Sequence, residues 1–213
     1  MTYTTLNYPF ALSFGTTLTG INNADQITGF TSSGAVSHSF LYTGGMYVPV
    51  SDPLGINTTA ALGLNDAGQI VGYYVGPGQQ PGQSGGDIRG FVDSDGTYTT
   101  LDYPGASQPL RLINNKDQIV GNAQMQGGRN VGFIYSHGVF STIADPLATA
   151  GTWALGINDK GQIVGYYQDV VGPGAQAFVD DGGTFTTLDP GGATQSVANA
   201  INARGEIVEL FGL

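Results

Sequence analysis

The sequence contains no cysteine, which excludes disulfide staples, thiolate catalysis and cysteine-based zinc sites. Positive charge is scarce as well: six Lys and Arg stand against 16 Asp and Glu, giving a net charge of −10 at pH 7. That balance opposes a nucleic-acid backbone or an anionic membrane surface as partner. No apolar run approaches the roughly 18 residues needed to span a bilayer, and the opening MTYTTLNYPF lacks the basic region and apolar core of a secretory leader. Helical patterning is missing too, since nowhere do apolar residues recur at a 3.6-residue period over three turns. Neither membrane insertion nor nucleic-acid binding is expected.

What the chain does have is turn formers and strand formers. Thirty-five Gly and 10 Pro punctuate a chain rich in Thr, Val, Ile, Tyr and Phe, the profile of short strands joined by turns. With 213 residues it is long enough to bury a core.

One phrase organises the whole chain. GINNADQITGF at 20 returns as GLNDAGQIVGY at 63, LINNKDQIVGN at 112, GINDKGQIVGY at 156 and AINARGEIVEL at 200. Its first Asn falls at 22, 65, 114, 158 and 202, so the spacings are 43, 49, 44 and 44 residues. A period of that size belongs to propeller blades.

Each unit divides into four β-like runs, a to d. Run a precedes the Asn, as in TAALGL at 59 and TWALGI at 152; run b is QIVGYY at 69 and 162. Run c carries a Phe, as in SFLY at 39, GFVD at 90, GFIY at 132 and AFVD at 177; run d is MYVPV at 46, TYTTL at 97, VFSTI at 139 and TFTTL at 184. TYTTL, TFTTL and VFSTI alternate apolar and polar residues, the two-residue period of a strand with one covered face. Tight turns join a to b and c to d, making two hairpins of one sheet. The longer b–c and d–a links, such as VGPGQQPGQSGGDI at 75–88 and DYPGASQP at 102–109, are variable surface loops.

The expected fold is therefore all-β: a single domain over 1–213, a five-bladed β-propeller of antiparallel four-stranded blades, with repeat units centred on turns at 22–25, 65–68, 114–117, 158–161 and 202–205. TYTTLNYP at 2–9 repeats TYTTLDYP at 97–104 and reads as the outer strand of the last blade, closing the ring from the other end of the chain. The last unit, GEIVELFGL, shows no run c. This leaves five a, five b, five d and four c runs, and either a three-stranded last blade or a second chain covering the gap. A monomer is expected, with a dimer as the alternative.

GFIYSHGVFSTI, AFVDDGGTFTTLDPGGATQS and GINDKGQIVGY together resemble the HAF-repeat family of extracellular bacterial proteins, whose units look like AFLY-DG-x-x-TTLD-x-PGA…GINNxGQIVG. The likeness covers essentially the whole chain, departing from the family pattern at Met46 to Val50 and in lacking a leader. It implies an extracellular or cell-surface location and carries over no catalytic residue.

Candidate chemistry is sparse. The repeated Asn opens a turn whose fourth position is Gly68, Gly161, Gly205, Asp25 or Asp117, residue types that tolerate a left-handed backbone. Five copies of one hairpin turn account for the phrase without a ligand. Asp93-Ser94-Asp95-Gly96 and Asp180-Asp181-Gly182-Gly183 lack the later carboxylate of a calcium loop, and His38 and His137 fall at different points of their units. No metal, cofactor or catalytic residue is expected. The inner runs carry no Asp or Glu, so an enzyme would have to draw acid from the loop residues Asp52, Asp102, Asp145 or Asp189. A binding surface fits better: Trp153, Arg111, Tyr74, Tyr103, Tyr167, Asp102 and Asp189 are the expected ligand-binding residues, with Tyr73 and Tyr166 more readily explained as packing. Trp153, the sole Trp, has Thr17, Ala60, Pro109 and Val197 as counterparts and breaks the repeat. The leading reading is a non-catalytic, lectin-like module for a glycan or small molecule. Its alternatives are an enzyme with a site at the mouth of a central channel, built from loop Asp, Arg111 and Trp153, and a structural surface repeat.

Overall fold

A computed structural model describes residues 5–9, 15–33, 36–56, 58–77, 87–104, 110–125, 127–170, 174–188, 191 and 193–212. They contain 18 strands and no helix, so none is long and apolar enough to cross a membrane. The chain divides into two compact units, Met1–Leu101 and Asp102–Leu213.

The first unit holds two four-stranded antiparallel sheets whose strands follow chain order. One is β1 (Thr16–Ile21), β2 (Ile27–Ser33), β3 (Val36–Thr43) and β4 (Met46–Val50); the other is β5 (Thr59–Leu64), β6 (Ile70–Gly76), β7 (Asp87–Ser94) and β8 (Thr97–Leu101). Val50, Ala61, Leu64, Ile70, Tyr74 and Phe91 form its core. In the second unit the same meander recurs as β9 (Leu110–Ile113), β10 (Ile119–Gln124), β11 (Asn130–Ser136) and β12 (Val139–Ile143), and again as β13 (Gly151–Ile157), β14 (Ile163–Gln168), β15 (Ala175–Asp181) and β16 (Thr184–Leu188). A single parallel bridge, Asn130 to Gly151, joins these two sheets. β17 (Gln195–Ile201) pairs with β18 (Ile207–Gly212). Runs a to d thus map in order onto these strands. Of the expected N-terminal strand, residues 1–4 lie outside the described residues and Thr5–Tyr8 belong to no strand. Tyr8 instead stacks on Phe40, 4.9 Å between centroids at 7°, and meets Tyr47 edge-on.

The repeated phrase does two jobs. Asn158 Oδ1 accepts from the N–H groups of Lys160 and Gln162, and its Nδ2 donates to Gln162 Oε1 at 2.8 Å, which satisfies the polar groups of a tight turn. The same Nδ2 also donates to the main-chain carbonyl of Asn202, 44 residues on, at 3.0 Å. Asn114 makes this bond to Asn158 at 2.9 Å, and in the first unit Asn22 makes it to Asn65 at 3.0 Å. A second rung lies alongside, where Asn23 and Asn115 each present main-chain and side-chain N–H to the carboxylates of Asp66 and Asp159. At the fourth turn position φ is positive throughout, from 56° at Asp25 to 93° at Gly205, as the residue types require.

The glycine of QIVGY has a separate cause. In run a the pairing skips a residue, at Leu18/Gly20, Ala61/Gly63, Ala154/Gly156 and Ala198/Ala200, and β9 skips Arg111. These bulges bring backbone close over run b. A Cβ on Gly165 would lie 1.8 Å from the Trp153 carbonyl oxygen, and one on Gly72 1.9 Å from that of Ala60. On its other side each of these glycines faces the Phe of run c: Gly29 to Phe40, Gly72 to Phe91, Gly121 to Phe133 and Gly165 to Phe178. All four rings are fully buried. Glu209 takes the glycine's place in β18, the strand that has no Phe-bearing neighbour among the described residues.

Asn158→Ala removes four hydrogen bonds at a buried turn and is expected to cost ~2–3 kcal/mol, whereas Asn202→Ala, at an exposed turn, costs clearly less; urea unfolding of both variants decides this. Gly165→Ala drives a Cβ into backbone and is expected to cost at least ~3 kcal/mol in the same measurement.

Candidate functional site

Strand alternation sorts the tyrosines. Tyr74 and Tyr167 point into the cores of their units, at 2% and 7% exposure, with hydroxyls on Thr100 and Thr187. Both were expected among ligand-facing residues; register instead makes them core. Tyr73 and Tyr166, one residue earlier, are the half-exposed ones. Tyr103 stacks on Phe133 at 5.2 Å, meets Phe140 edge-on and bonds Thr142 through its hydroxyl, so its ring also serves packing. Asp102 is exposed. Asp189 lies outside the described residues.

Trp153 and Tyr166 come together, and Arg111 acts on Tyr166 through its charge. Trp153 on β13 pairs directly with Tyr166 on β14, and their rings stack 4.7 Å apart at 7°. The pair forms because residue 151 is glycine: a Cβ there would reach within 2.9 Å of Trp153 Cη2. Elsewhere the matching cross-strand pairs are Thr17–Phe30, Ala60–Tyr73 and Val197–Leu210, none with two rings. Arg111 is the residue that the β9 bulge leaves unpaired, a device that re-aims a side chain. Burial raises the Tyr166 phenol pKa, and the Arg111 guanidinium partly opposes that rise. The result is a half-buried, two-ring platform within the electrostatic reach of an exposed arginine, able to stack against an apolar ring face. Sequence reasoning treated Tyr166 as packing; the glycine two residues before Trp153 was the signal that linked them.

The loop and turn carboxylates serve the backbone. Asp52 and Asp145, buried at 2% and 3% exposure, accept from Leu54 N and Leu147 N, while their own N–H groups donate to Thr59 and Thr152 hydroxyls. Asp93 and Asp180 accept from Gly96 N and Gly183 N across the c–d turns. Burial raises all four carboxyl pKa values, Asp52 adds to the rise at Asp93, and Asp145 adds to that at Asp180. Burial, then the Asp93 charge, pushes the Tyr98 phenol up to about 12. His137 occupies a c–d turn at φ 51°, bonded to Ser136. Among the described residues no three His, Asp or Glu side chains assemble into a metal set.

No family model matches the chain, and no curated protein matches it. Solved structures do. The β-propeller domain of the Trilobed protease from Pyrococcus furiosus is 12% identical, with a TM-score of 0.56 over 82% of this chain and 51% of that one. The fold is that of a β-propeller. TolB from Acinetobacter baumannii is 10% identical, with a TM-score of 0.55 over 81% of this chain and 43% of its own. This propeller chain thus spans about half the length of those two proteins. The fucose-specific lectin from Aleuria aurantia is 14% identical, with a TM-score of 0.53 over 92% of this chain and 69% of the lectin. Identities this low speak for fold alone.

A carboxyl whose folded pKa is raised takes up its proton more readily folded than unfolded, so its contribution is present at low pH and lost as pH rises through the folded value. The melting temperature is therefore expected to be higher in mildly acidic than in neutral buffer. Asp180→Asn keeps an oxygen for Gly183 N and should narrow that difference in a thermal melt; an unchanged difference would remove Asp180 from the account.

Proposed function

We propose that this propeller is a non-catalytic binding module for a saccharide or a similarly polar small molecule, and that Trp153, Tyr166 and Arg111 form its contact surface. The observation that carries this reading is the Trp153–Tyr166 stack, at a position where other repeats have no ring pair, with the Arg111 charge acting on Tyr166. Scaffold needs explain the repeated residues and leave this departure unexplained. A sugar ring presents an apolar C–H face and a rim of hydroxyls, which an aromatic plane beside a guanidinium matches on both counts. The fold likeness to a lectin is consistent with such a use. The finer architecture belongs to the same proposal: five blades, counted by the five Asn turns, with the N-terminal run closing the ring. So does membership of the HAF-repeat group with an extracellular or surface location, for which the repeat motifs speak.

Because Trp153 is the sole Trp, its fluorescence reports on one place. Glycans that score on an array are expected to shift that fluorescence saturably and without turnover. Trp153→Ala, confirmed folded by circular dichroism, should weaken their binding about tenfold or more, as expected when ~1.4 kcal/mol of ring contact is removed. Unchanged affinity in this variant would sink the assignment.

A further inference from the structure

The first unit contains a cleft of about 290 Å³, bounded by β3, the end of β4 and the start of β5, close to the lower end of ligand-site volumes, ~300 Å³. Among the described residues its lining holds no Asp, Glu, Lys or Arg, in a chain of net charge −10. Hydroxyls dominate instead. Two of them build the floor: Ser39 Oγ donates to Thr59 O and accepts from Ala61 N, both at 2.8 Å, and Thr59 Oγ1 accepts from Asp52 N at 3.2 Å. These bonds fix β3 against β5, as does the bridge between Ser37 and Thr58. Ser37, His38 and Ser51 also line the cleft, and none of their side chains takes part in those framework bonds. Pro49 and Val50 supply an apolar side, and Tyr8, held by Phe40 and Tyr47, is part of the wall.

The repeat shows that this lining is particular to the first unit's first sheet. Ser37-His38-Ser39 before Phe40 corresponds to Ile88-Arg89-Gly90, Asn130-Val131-Gly132 and Ala175-Gln176-Ala177 before the other Phe residues. Pro49 stands where Thr100, Thr142 and Thr187 each bond a tyrosine hydroxyl. The usual hydrogen-bonding threonine gives way to an apolar ring, and Ser37 and His38 stand where the other repeats carry Ile88 and Arg89, Asn130 and Val131, or Ala175 and Gln176. Ser39 is explained by its bonds to β5; the exchange at Pro49 has no such explanation.

We infer that this cleft is a second binding site, for a neutral monosaccharide or a single neutral sugar residue of a glycan. Among the described residues of the lining no charged side chain offers an ion a partner. A sugar ring meets both sides of the lining: its C–H face packs on the exposed Pro49, and its hydroxyls exchange hydrogen bonds with Ser37, His38 and Ser51, which can both donate and accept. The site stands apart from the Trp153 platform in its residues, so either assignment can fail alone.

The two histidines make the test direct, because the whole chain gives two imidazole signals, one from the cleft and one from the exposed turn at His137. Titrating the methyl glycosides of glucose, galactose and fucose while following both imidazoles by NMR is expected to shift His38 saturably with at least one sugar and leave His137 unmoved. Ser37→Ala should weaken that affinity about fivefold while leaving the spectrum folded, glucuronate should bind no better than the neutral sugars, and Trp153→Ala should leave the His38 response intact. The inference is overturned if His38 is unmoved by all three glycosides, if both imidazoles move together, if Ser37→Ala binds like the parent protein, if glucuronate binds more tightly, or if Trp153→Ala abolishes the shift.

Discussion

One side-chain amide holds the repeat together. The Asn that opens an a–b turn closes it with its oxygen, and within each unit its nitrogen reaches the carbonyl of the following turn: Asn22 to Asn65 in the first unit, Asn114 to Asn158 and Asn158 to Asn202 in the second. Asp could not serve, since a carboxylate only accepts, and Ser or Thr could not satisfy both turns at once. Asn65, Asn114 and Asn158 are buried at about 4% exposure, where an unmade hydrogen bond costs more than a made one gains. Sequence spacing is thereby converted into spatial stacking of sheets.

The second constraint is steric. Run a bulges, its backbone presses on run b, and glycine is the residue that fits beneath; the space on its other side is filled by the buried Phe of run c. Three runs are tied to each other by this one contact. Where the glycine becomes Glu209, β18 pairs, among the described residues, with β17 alone. The bulge also leaves Arg111 unpaired in the β9–β10 register, and the charge of its guanidinium lowers the Tyr166 phenol pKa against burial.

Against so repetitive a frame, departures stand out. Gly151 with Trp153 trades a side chain at one position for a large ring two residues on, and Pro49 puts an apolar ring where the other repeats have threonine, beside a cleft lined by Ser37, His38 and Ser39. Buried carboxyls that could suggest acid–base chemistry are instead occupied with turns: Asp52, Asp93, Asp145 and Asp180 each cap backbone N–H groups, and burial, without a cationic partner, raises their pKa values.

By itself the sequence determined the strand content, the a-to-d order within each sheet, and the turn chemistry of its repeated phrase, because period-two alternation, Gly and Asp at left-handed turn positions, and a fixed repeat length are local properties of the chain. It also marked Trp153 as a departure. Only the tertiary structure decided which member of each Tyr-Tyr pair is core, because a shift of one residue in register exchanges the faces of a strand and nothing local distinguishes Tyr166 from Tyr167. The same holds for the Asn amide, whose second partner lies 44 residues away, for the Trp153–Tyr166 stack, and for the His38 cleft, assembled from hydroxyls that no short stretch of the chain brings together.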